Sequence, residues 1–333
     1  MKAFIIDRYG KDVVGRIAEM PVPTLGDDDV LVRVHAAGVN ALDVKLRNGE
    51  FKRVLPYRLP LILGNDLAGT VLRVGARVTR FKPGDEVYAR PGQARIGSFA
   101  EQIAVTQQAL ARKPANLSME QAAALPLVAL TAWQVLVETA QLKPGQKVLI
   151  HAGSGGVGSI AIQLAKHLGA FVATTTGTGN VEWVKALGAD VVIDYKRQDF
   201  TRELRDYDVV LSGLEAGTLE RSVQILKPGG QLISISGPPT PEFAAEQGMA
   251  WPLRQVLRLL SRRIRKRCEA SGVRYRFVFM RADGRQLEAI TQLVEEGILT
   301  PVLDQVFAFE ATEQALAAVA GGRSKGKVVV RVA

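Results

Sequence analysis

Cysteine is nearly absent from this chain. Cys268 stands alone among 333 residues, and histidine occurs only as His35, His151 and His167. A single cysteine rules out an internal disulfide and a structural zinc site built from four cysteines. Long apolar runs are also missing, since none reaches the roughly 18 residues that a membrane-crossing helix needs. Near Met1 only Ala3 to Ile6 are apolar in succession before Asp7, too few for the hydrophobic region of a secretory signal. The expected setting is therefore reducing and cytoplasmic. Acidic residues are the scarcer charge, 33 against 43 Lys and Arg, a formal balance of +10. That excess is local. Nine basic residues and one acid between Trp251 and Arg276 supply +8 of it, so the chain as a whole is no polycation. The remaining composition, 47% hydrophobic and 23% charged, is that of a globular protein long enough for two domains.

The stretch Lys147 to Gly169 carries the clearest signal. Val148, Leu149 and Ile150 form a short apolar run, as in a strand buried on both faces. The turn that follows, Gly153-Ser154-Gly155-Gly156-Val157-Gly158, contains G-x-G-x-x-G at Gly153, Gly155 and Gly158. Ile160, Ile162, Leu164, Ala165 and Leu168 then keep helical spacing up to Gly169. Strand, glycine turn and helix are the order that a dinucleotide site requires, because glycines let a pyrophosphate approach the helix's free N–H groups.

Around this stretch the chain changes character. Residues 1 to about 115 read as short β segments punctuated by Gly64, Gly69, Gly75 and Pro83-Gly84. Ser118-Met119-Glu120-Gln121 has the form of a capping box and opens an apolar helical stretch to Ala140, interrupted at Pro126. From Lys147, strands expected at 171–176, 191–194, 207–211 and 231–236 alternate with helices, the pattern of a parallel sheet covered on both faces. The expected division is a first domain of residues 1–118 and 283–333 and a second of 119–282.

At this level the chain resembles the medium-chain dehydrogenase/reductase superfamily, on its zinc-free quinone oxidoreductase and alkenal/enone reductase branch. The residues that carry the resemblance are Ala37-Gly38-Val39-Asn40 with Asp43, Gly64-Asn65-Asp66-Leu67-Ala68-Gly69, Phe81-Lys82-Pro83-Gly84-Asp85-Glu86-Val87 and Gly97-Ser98-Phe99-Ala100-Glu101. It continues through Leu125-Pro126-Leu127, Leu130-Thr131-Ala132, the glycine turn, Leu187-Gly188-Ala189-Asp190 with Ile193-Asp194-Tyr195, and Leu226-Lys227-Pro228-Gly229-Gly230. The fold this implies is α/β: a GroES-like, β-rich catalytic domain joined to a doubly wound Rossmann domain, with catalysis in the cleft between them. Zinc members of the superfamily have a cysteine where this chain has Asn40, and His-Glu where it has Asn65-Asp66. No catalytic metal is therefore expected. The implied reaction is hydride addition to a conjugated C=C–C=O system or a quinone, with a small electrophilic molecule as substrate.

The cofactor expected is NADPH. The second strand ends Thr174-Thr175-Thr176-Gly177-Thr178-Gly179-Asn180 without the carboxylate that binds a ribose 2′-hydroxyl. Relatives that use NADPH often have a lysine at the Asn180 position and a tyrosine matching Tyr195, of which this chain keeps the tyrosine. The resemblance places Asn40 near the nicotinamide ribose and Thr131 and Gly237 near the carboxamide. The cofactor site expected is thus Asn40, Thr131, Gly153 to Gly158, Thr175, Thr176, Asn180, Tyr195 and Gly237. Asp43 admits two readings, an orienting group or a structural turn aspartate. Lys45 also admits two, an ammonium that stabilises a developing enolate or a solvated surface lysine.

His35 and His151 read as structural histidines. Cys268 borders the basic run, whose cations favour a thiolate, although no redox role is expected. In the Arg-rich segment Leu253, Val256, Leu257, Leu260 and Ile264 share one helical face, so the expectation is a helix packed by that face with a solvated basic side. Recruitment of an anionic substrate such as a coenzyme A thioester, or attachment to RNA or an acidic membrane, are the competing readings. Tyr275 to Met280 resembles the strand through which these enzymes pair, so a homodimer is expected, with neither membrane nor nucleic acid as partner. Two other functions stay open: an enoyl-thioester reductase, and an NADPH-holding RNA-binding or sensor protein.

Overall fold

The long strand Asp29–Val39 is the hub of one half of the molecule. Val30, Val32 and Val34 alternate along it into a core shared with Leu67, Val71 and Val87. Each such side chain is worth about 1.5–3 kcal/mol when fully buried. One edge of this strand pairs antiparallel with Leu67–Val74. The other is shared: residues 29–33 pair with Gln102–Thr106 and residues 36–39 with Lys327–Arg331. The computed structural model describes residues 1–52 and 55–333.

Two compact units result, Met1–Leu130 with Arg281–Ala333, and Thr131–Met280. The first therefore begins and ends the chain. Its main sheet runs, in order, Leu303–Ala308, Lys327–Arg331, Asp29–Val39, Leu67–Val74, Glu86–Ala89 and Leu110–Arg112. The expected capping box forms, with the Gln121 N–H donating to Ser118 Oγ at 3.2 Å and the Ser118 N–H to Gln121 Oε1 at 3.0 Å. The helix it opens, Met119–Ala123, packs so closely on the hub strand that a Cβ on Gly38 would lie 2.4 Å from the Ala123 carbonyl oxygen. That contact ties this helix to the first unit, and the division falls after Leu130, inside the next helix Pro126–Trp133. The helical stretch to Ala140 then closes on a π-helical segment, Gln134–Thr139.

The second unit has a six-stranded parallel sheet, whose strands are numbered here within that unit. They are β1 (Lys147–Ile150), β2 (Phe171–Thr176), β3 (Val191–Asp194), β4 (Tyr207–Ser212), β5 (Leu226–Ser234) and β6 (Arg274–Phe277). Their order, β3-β2-β1-β4-β5-β6, is that of the doubly wound dinucleotide-binding fold. The strand order reverses between β1 and β4, and the glycine turn leaves the end of β1 there. Helix α1 (Gly156–His167) follows the turn.

The Arg-rich segment differs from expectation. It forms two helices, α2 (Trp251–Leu260) and α3 (Arg262–Ala270). Between them Ser261 Oγ donates to the Leu257 carbonyl at 2.8 Å, an i−4 side-chain bond of the kind that bends helices. Helix α3 buries Ile264 and Cys268, whereas α2 buries nothing and leaves Val256 and Leu260 exposed. Packing by the predicted apolar face thus holds for α3 and only in part for α2, where Leu253 and Leu257 are half-buried. Burial also pushes the Cys268 thiol up to about 12 against the opposing pull of Arg267, so the expected thiolate-favouring effect of the cations is outweighed.

Candidate functional site

In the second unit the glycine turn is a cradle that side chains would fill. A Cβ on Gly153 would lie 2.2 Å from Thr174 Oγ1, and one on Gly158 would lie 2.3 Å from the Ala152 carbonyl oxygen. At Gly155 a Cβ would lie 3.3 Å from the Ala152 carbonyl oxygen, a slightly tight contact with no second atom within 4 Å, so a side chain there would chiefly project over the helix end. Gly155 caps α1 without a side-chain bond, and Gly156 and Val157 form its first turn. The first N–H groups of this helix have no intrahelical acceptor and are available to a phosphate.

The threonines at the end of β2 separate into distinct roles. Thr174 Oγ1 donates to the Ile150 carbonyl at 2.6 Å. Thr175 Oγ1 accepts from the Ala152 N–H at 3.2 Å and lies 3.0 Å from His151 Nδ1. His151 Nε2 meets Ser222 Oγ at 2.9 Å, and burial depresses the imidazole to about 4, so it is neutral at pH 7 and fixes the turn. Thr176 Oγ1 is buried with no hydrogen-bond partner and is the hydroxyl left for a ligand.

Beyond β2, Asn180 Oδ1 accepts from Trp183 Nε1 at 3.0 Å, and Tyr195 is 62% exposed. A Cβ on Gly177 would lie 3.4 Å from Tyr195 Oη and 3.7 Å from Lys196 Cε, so tyrosine and lysine border the same strand end. Lys196 thus stands near where the absent lysine at Asn180 was sought. One carboxylate also comes close, which β2 alone does not reveal. Parallel register sets Asp194 of β3 beside Thr176. Its oxygens are occupied by Thr178 Oγ1 at 2.6 Å and the Lys196 N–H at 3.0 Å, and these bonds, the hydroxyl's first, lower its pKa. Gly237 donates its N–H to Ser234 Oγ at 2.7 Å, and Thr131 is buried in the helix Pro126–Trp133.

In the first unit a polar cluster lies inside the β-rich core. Asn40 precedes the helix Ala41–Asn48 and is 5% exposed. Its Nδ2 donates to Asp66 Oδ2 at 2.8 Å, and its Oδ1 accepts from Lys327 Nζ at 2.6 Å. An ammonium only donates and a carboxylate only accepts, so these partners fix the amide in one orientation. Lys327 Nζ also donates to the Val39 carbonyl at 3.0 Å and to Asp66 Oδ2 at 3.1 Å, which engages all three of its donors. Asp66 Oδ1 accepts the Leu127 N–H at 2.7 Å, in the first turn of the helix Pro126–Trp133. Asp43 is completely buried and accepts from the Asn40 N–H at 2.8 Å and from Asn65 Nδ2 at 2.7 Å. Burial raises both carboxyls, that of Asp43 to about 6.

The structure brings Asn40 and Asp43 together and leaves Lys45 out. Lys45 is two residues from Asp43 on one helix, and residues so spaced do not share a face. The sequence reading missed Lys327 and Arg90. Arg90 is 1% exposed, with Nη1 donating to the Pro91 carbonyl at 2.5 Å and Nε buried without a partner. The one local hint was a lysine heading the apolar run Val328-Val329-Val330, and it does not tell a buried lysine from a surface one. His35 is structural as expected, its Nε2 lying 3.0 Å from Thr70 Oγ1.

Residues 26–115 match the family described as alcohol dehydrogenase GroES-like domain, and residues 187–330 match zinc-binding dehydrogenase. The chain is 36% identical to a 2-methylene-furan-3-one reductase of Solanum lycopersicum, over 99% of this chain and 79% of that protein. It is 35% identical to a chloroplastic NADPH-dependent alkenal/one oxidoreductase of Arabidopsis thaliana over the same shares. The solved structure of a quinone oxidoreductase from Coxiella burnetii superposes with a TM-score of 0.88 at 30% identity, covering 100% of this chain and 99% of that one.

The residues at hand do not fit zinc. Asn40, Asn65 and Asp66 offer neither thiolate nor imidazole, and the Asp66 carboxylate is already held by Lys327, Asn40 and Leu127. Among the described residues no three His, Cys, Asp or Glu side chains gather to hold a metal. They do fit a nicotinamide dinucleotide, through the glycine cradle, the free Thr176 hydroxyl and the strand order. The chain belongs to the medium-chain dehydrogenase/reductase superfamily, on its quinone oxidoreductase and alkenal/enone reductase branch, and is an oxidoreductase that uses a nicotinamide cofactor.

Proposed function

We propose that the chain is a zinc-free, NADPH-dependent reductase that adds hydride to the activated C=C bond of an enal or enone, or to a quinone. The observation that carries this reading is its likeness, over nearly its whole length, to proteins named for enone and alkenal reduction. Bound NADPH supplies the hydride. The chain's own residues bind and orient it. The turn Gly153 to Gly158 takes the pyrophosphate, and Thr176 offers its free hydroxyl. Tyr195 and Lys196 attend the 2′-phosphate, where the Asp194 charge is muted by Thr178 and the Lys196 N–H. Asn40, held by Lys327 and Asp66, positions the nicotinamide ribose, while Thr131 and Gly237 serve the carboxamide. Lys327 has no donor to spare, so the enolate left by hydride transfer is protonated by water.

The test is NADPH oxidation followed by absorbance against a short alkenal, an enone, an enoyl-CoA and a quinone, with NADH alongside. Turnover on an enal, enone or quinone that prefers NADPH is expected. Tight NADPH binding without turnover on any substrate would overturn the reading. Lys196→Ala is expected to weaken NADPH about ten-fold while leaving NADH unchanged, the worth of one charge-assisted contact to phosphate. An equal loss for both cofactors would remove Lys196 from the 2′-phosphate site. The assembly we propose is a homodimer through β6, an edge strand that among the described residues pairs only with β5, which light scattering would refute by giving a monomer. We place the protein in the cytoplasm, and among the described residues no helix is long and apolar enough to cross a membrane.

A further inference from the structure

Arg90 is buried, charged and without a task in the site described above. It is 1% exposed, and among the described residues only its Nη1 meets an acceptor, the carbonyl of the next residue, Pro91, at 2.5 Å. Its Nε is enclosed with no partner. A guanidinium has five N–H donors and stays protonated in proteins. Burial pulls it below its ordinary range, against Tyr57, Asp66 and Asp43, which favour the charge from a distance without pairing with it among the described residues. The residue before it, Ala89, pairs with Leu67, so one step further along Arg90 stands across from Asp66. Asp66 in turn holds the amide of Asn40. The same stretch carries two more buried polar atoms without partners, Asn65 Oδ1 and Ser98 Oγ, and the Ser98 N–H donates to the neighbouring Gly64 carbonyl at 3.3 Å.

Packing alone does not call for this residue. A neutral glutamine could donate to the Pro91 carbonyl, and a buried water can complete Asn65 and Ser98 because it donates as well as accepts. Enclosing a cation with no anion in contact costs the fold more than either. We propose that the Arg90 guanidinium binds the carbonyl oxygen of the enal, enone or quinone and stabilises the oxyanion formed there, an inference that rests on the reductase reading above. In an enone the β-carbon takes up hydride, the C=C pair shifts to join the α-carbon to the carbonyl carbon, and the carbonyl π pair settles on oxygen as an enolate. Water then gives a proton to the α-carbon, the C=O bond reforms, and solvent neutralises the hydroxide left behind. A fixed donor aimed at such an oxygen acts most strongly where water is excluded. The charge balance selects a neutral substrate. Lys327 and Asp66 cancel in contact at 3.1 Å, and Arg90 offsets Asp43 across a distance. A substrate carboxylate would upset that balance, whereas a carbonyl gains charge only as it reacts.

Arg90→Met keeps the bulk and removes the charge. Its kcat on an enone is expected to fall about a hundred-fold while KM and NADPH affinity stay within about two-fold, the mark of an interaction made in the transition state. Its melting temperature should match or exceed the parent's, because an enclosed cation has been removed. Adding Asp43→Asn to Arg90→Met should restore nothing. A second readout needs no turnover. 4-Nitrophenol, a planar mimic of the product oxyanion, is yellow only as the phenolate. Mixed with NADP⁺ and the parent at the pH of its own half-ionisation, it is expected to deepen in colour as it binds. Arg90→Met should bind it without that change, and Arg90→Lys, which keeps the charge without the fork, should give part of it. Three results would each overturn the proposal: an unchanged kcat in Arg90→Met, recovery of kcat on adding Asp43→Asn, which would make Arg90 a counter-charge for Asp43 alone, or no phenolate gain on the parent. Should Arg90→Met not fold, Arg90→Lys carries the comparison, and a colour change equal to the parent's would then exclude the forked contact. A parent that turns over no enal, enone or quinone would sink the reductase reading, and the phenolate colour would still decide Arg90.

Discussion

Asp43 spends both oxygens on neutral donors, Asn40 N–H and Asn65 Nδ2, and is completely buried. Its carboxyl is therefore held at about 6 against an ordinary 3.8. Between those values the folded chain keeps a proton that the unfolded chain has released. Stability is then greatest below about pH 4 and falls as pH rises through about 6, by roughly 3 kcal/mol for this group. Asp43→Asn should flatten that slope in urea titrations at several pH values. The new amide can be accommodated because Asn65 Oδ1 has no partner, and an Asn65 flip would let it accept. An unchanged slope would mean that Asp43 stays ionised. Lys327 presents the opposite case. Lys327→Met strands the Asp66 carboxylate without its cation, at a cost of about 3–5 kcal/mol, whereas Lys327→Met/Asp66→Asn should recover much of that loss. Equal losses in both variants would show that packing, and not charge, makes Lys327 necessary.

At the scale of elements, the glycine turn distinguishes two demands. Gly158→Ala drives a methyl against the Ala152 carbonyl, backbone on backbone, and should lower stability by about 1–3 kcal/mol. Gly155→Ala makes one slightly tight contact, 3.3 Å to the Ala152 carbonyl oxygen, so it should cost the fold far less than Gly158→Ala while NADPH, followed by quenching of tryptophan emission, binds at least ten-fold more weakly. A loss of stability at Gly155 as large as at Gly158 would mean that its missing side chain serves the fold and not the ligand. This turn was legible in the sequence, as were β2 and β3 to the residue, because both are short runs rich in β-branched Val, Ile and Thr set between glycines, Asp190 and Asp194. Lys327, Arg90 and Lys196 were not. Each owes its place to a neighbour brought by the fold: Lys327 lies 287 residues from Asn40, and Lys196 leaves β3 to border the end of β2. Helix α2 misled for a related reason. Helical spacing marks which residues share a face, and says nothing of whether an element exists to cover it.

For the whole molecule, the fold class was readable because two periodicities follow one another along the chain. The return of the tail to the first domain was expected, but the pairing of its last strand was not legible, since Lys327–Arg331 joins the hub strand nearly 300 residues from its partner. The division at Leu130 was hidden inside a continuous helix. Cys268 is the chain's only thiol, buried at 1% exposure and held protonated. A thiol-modifying reagent therefore finds nothing to attack until the nucleotide-binding unit opens, and the mass gained on labelling times that opening. NADPH at a hundred times its dissociation constant should slow labelling about a hundred-fold, because the closed form binds it and the open form does not. With one reactive atom per molecule, a mass spectrum would then count opened and unopened copies directly.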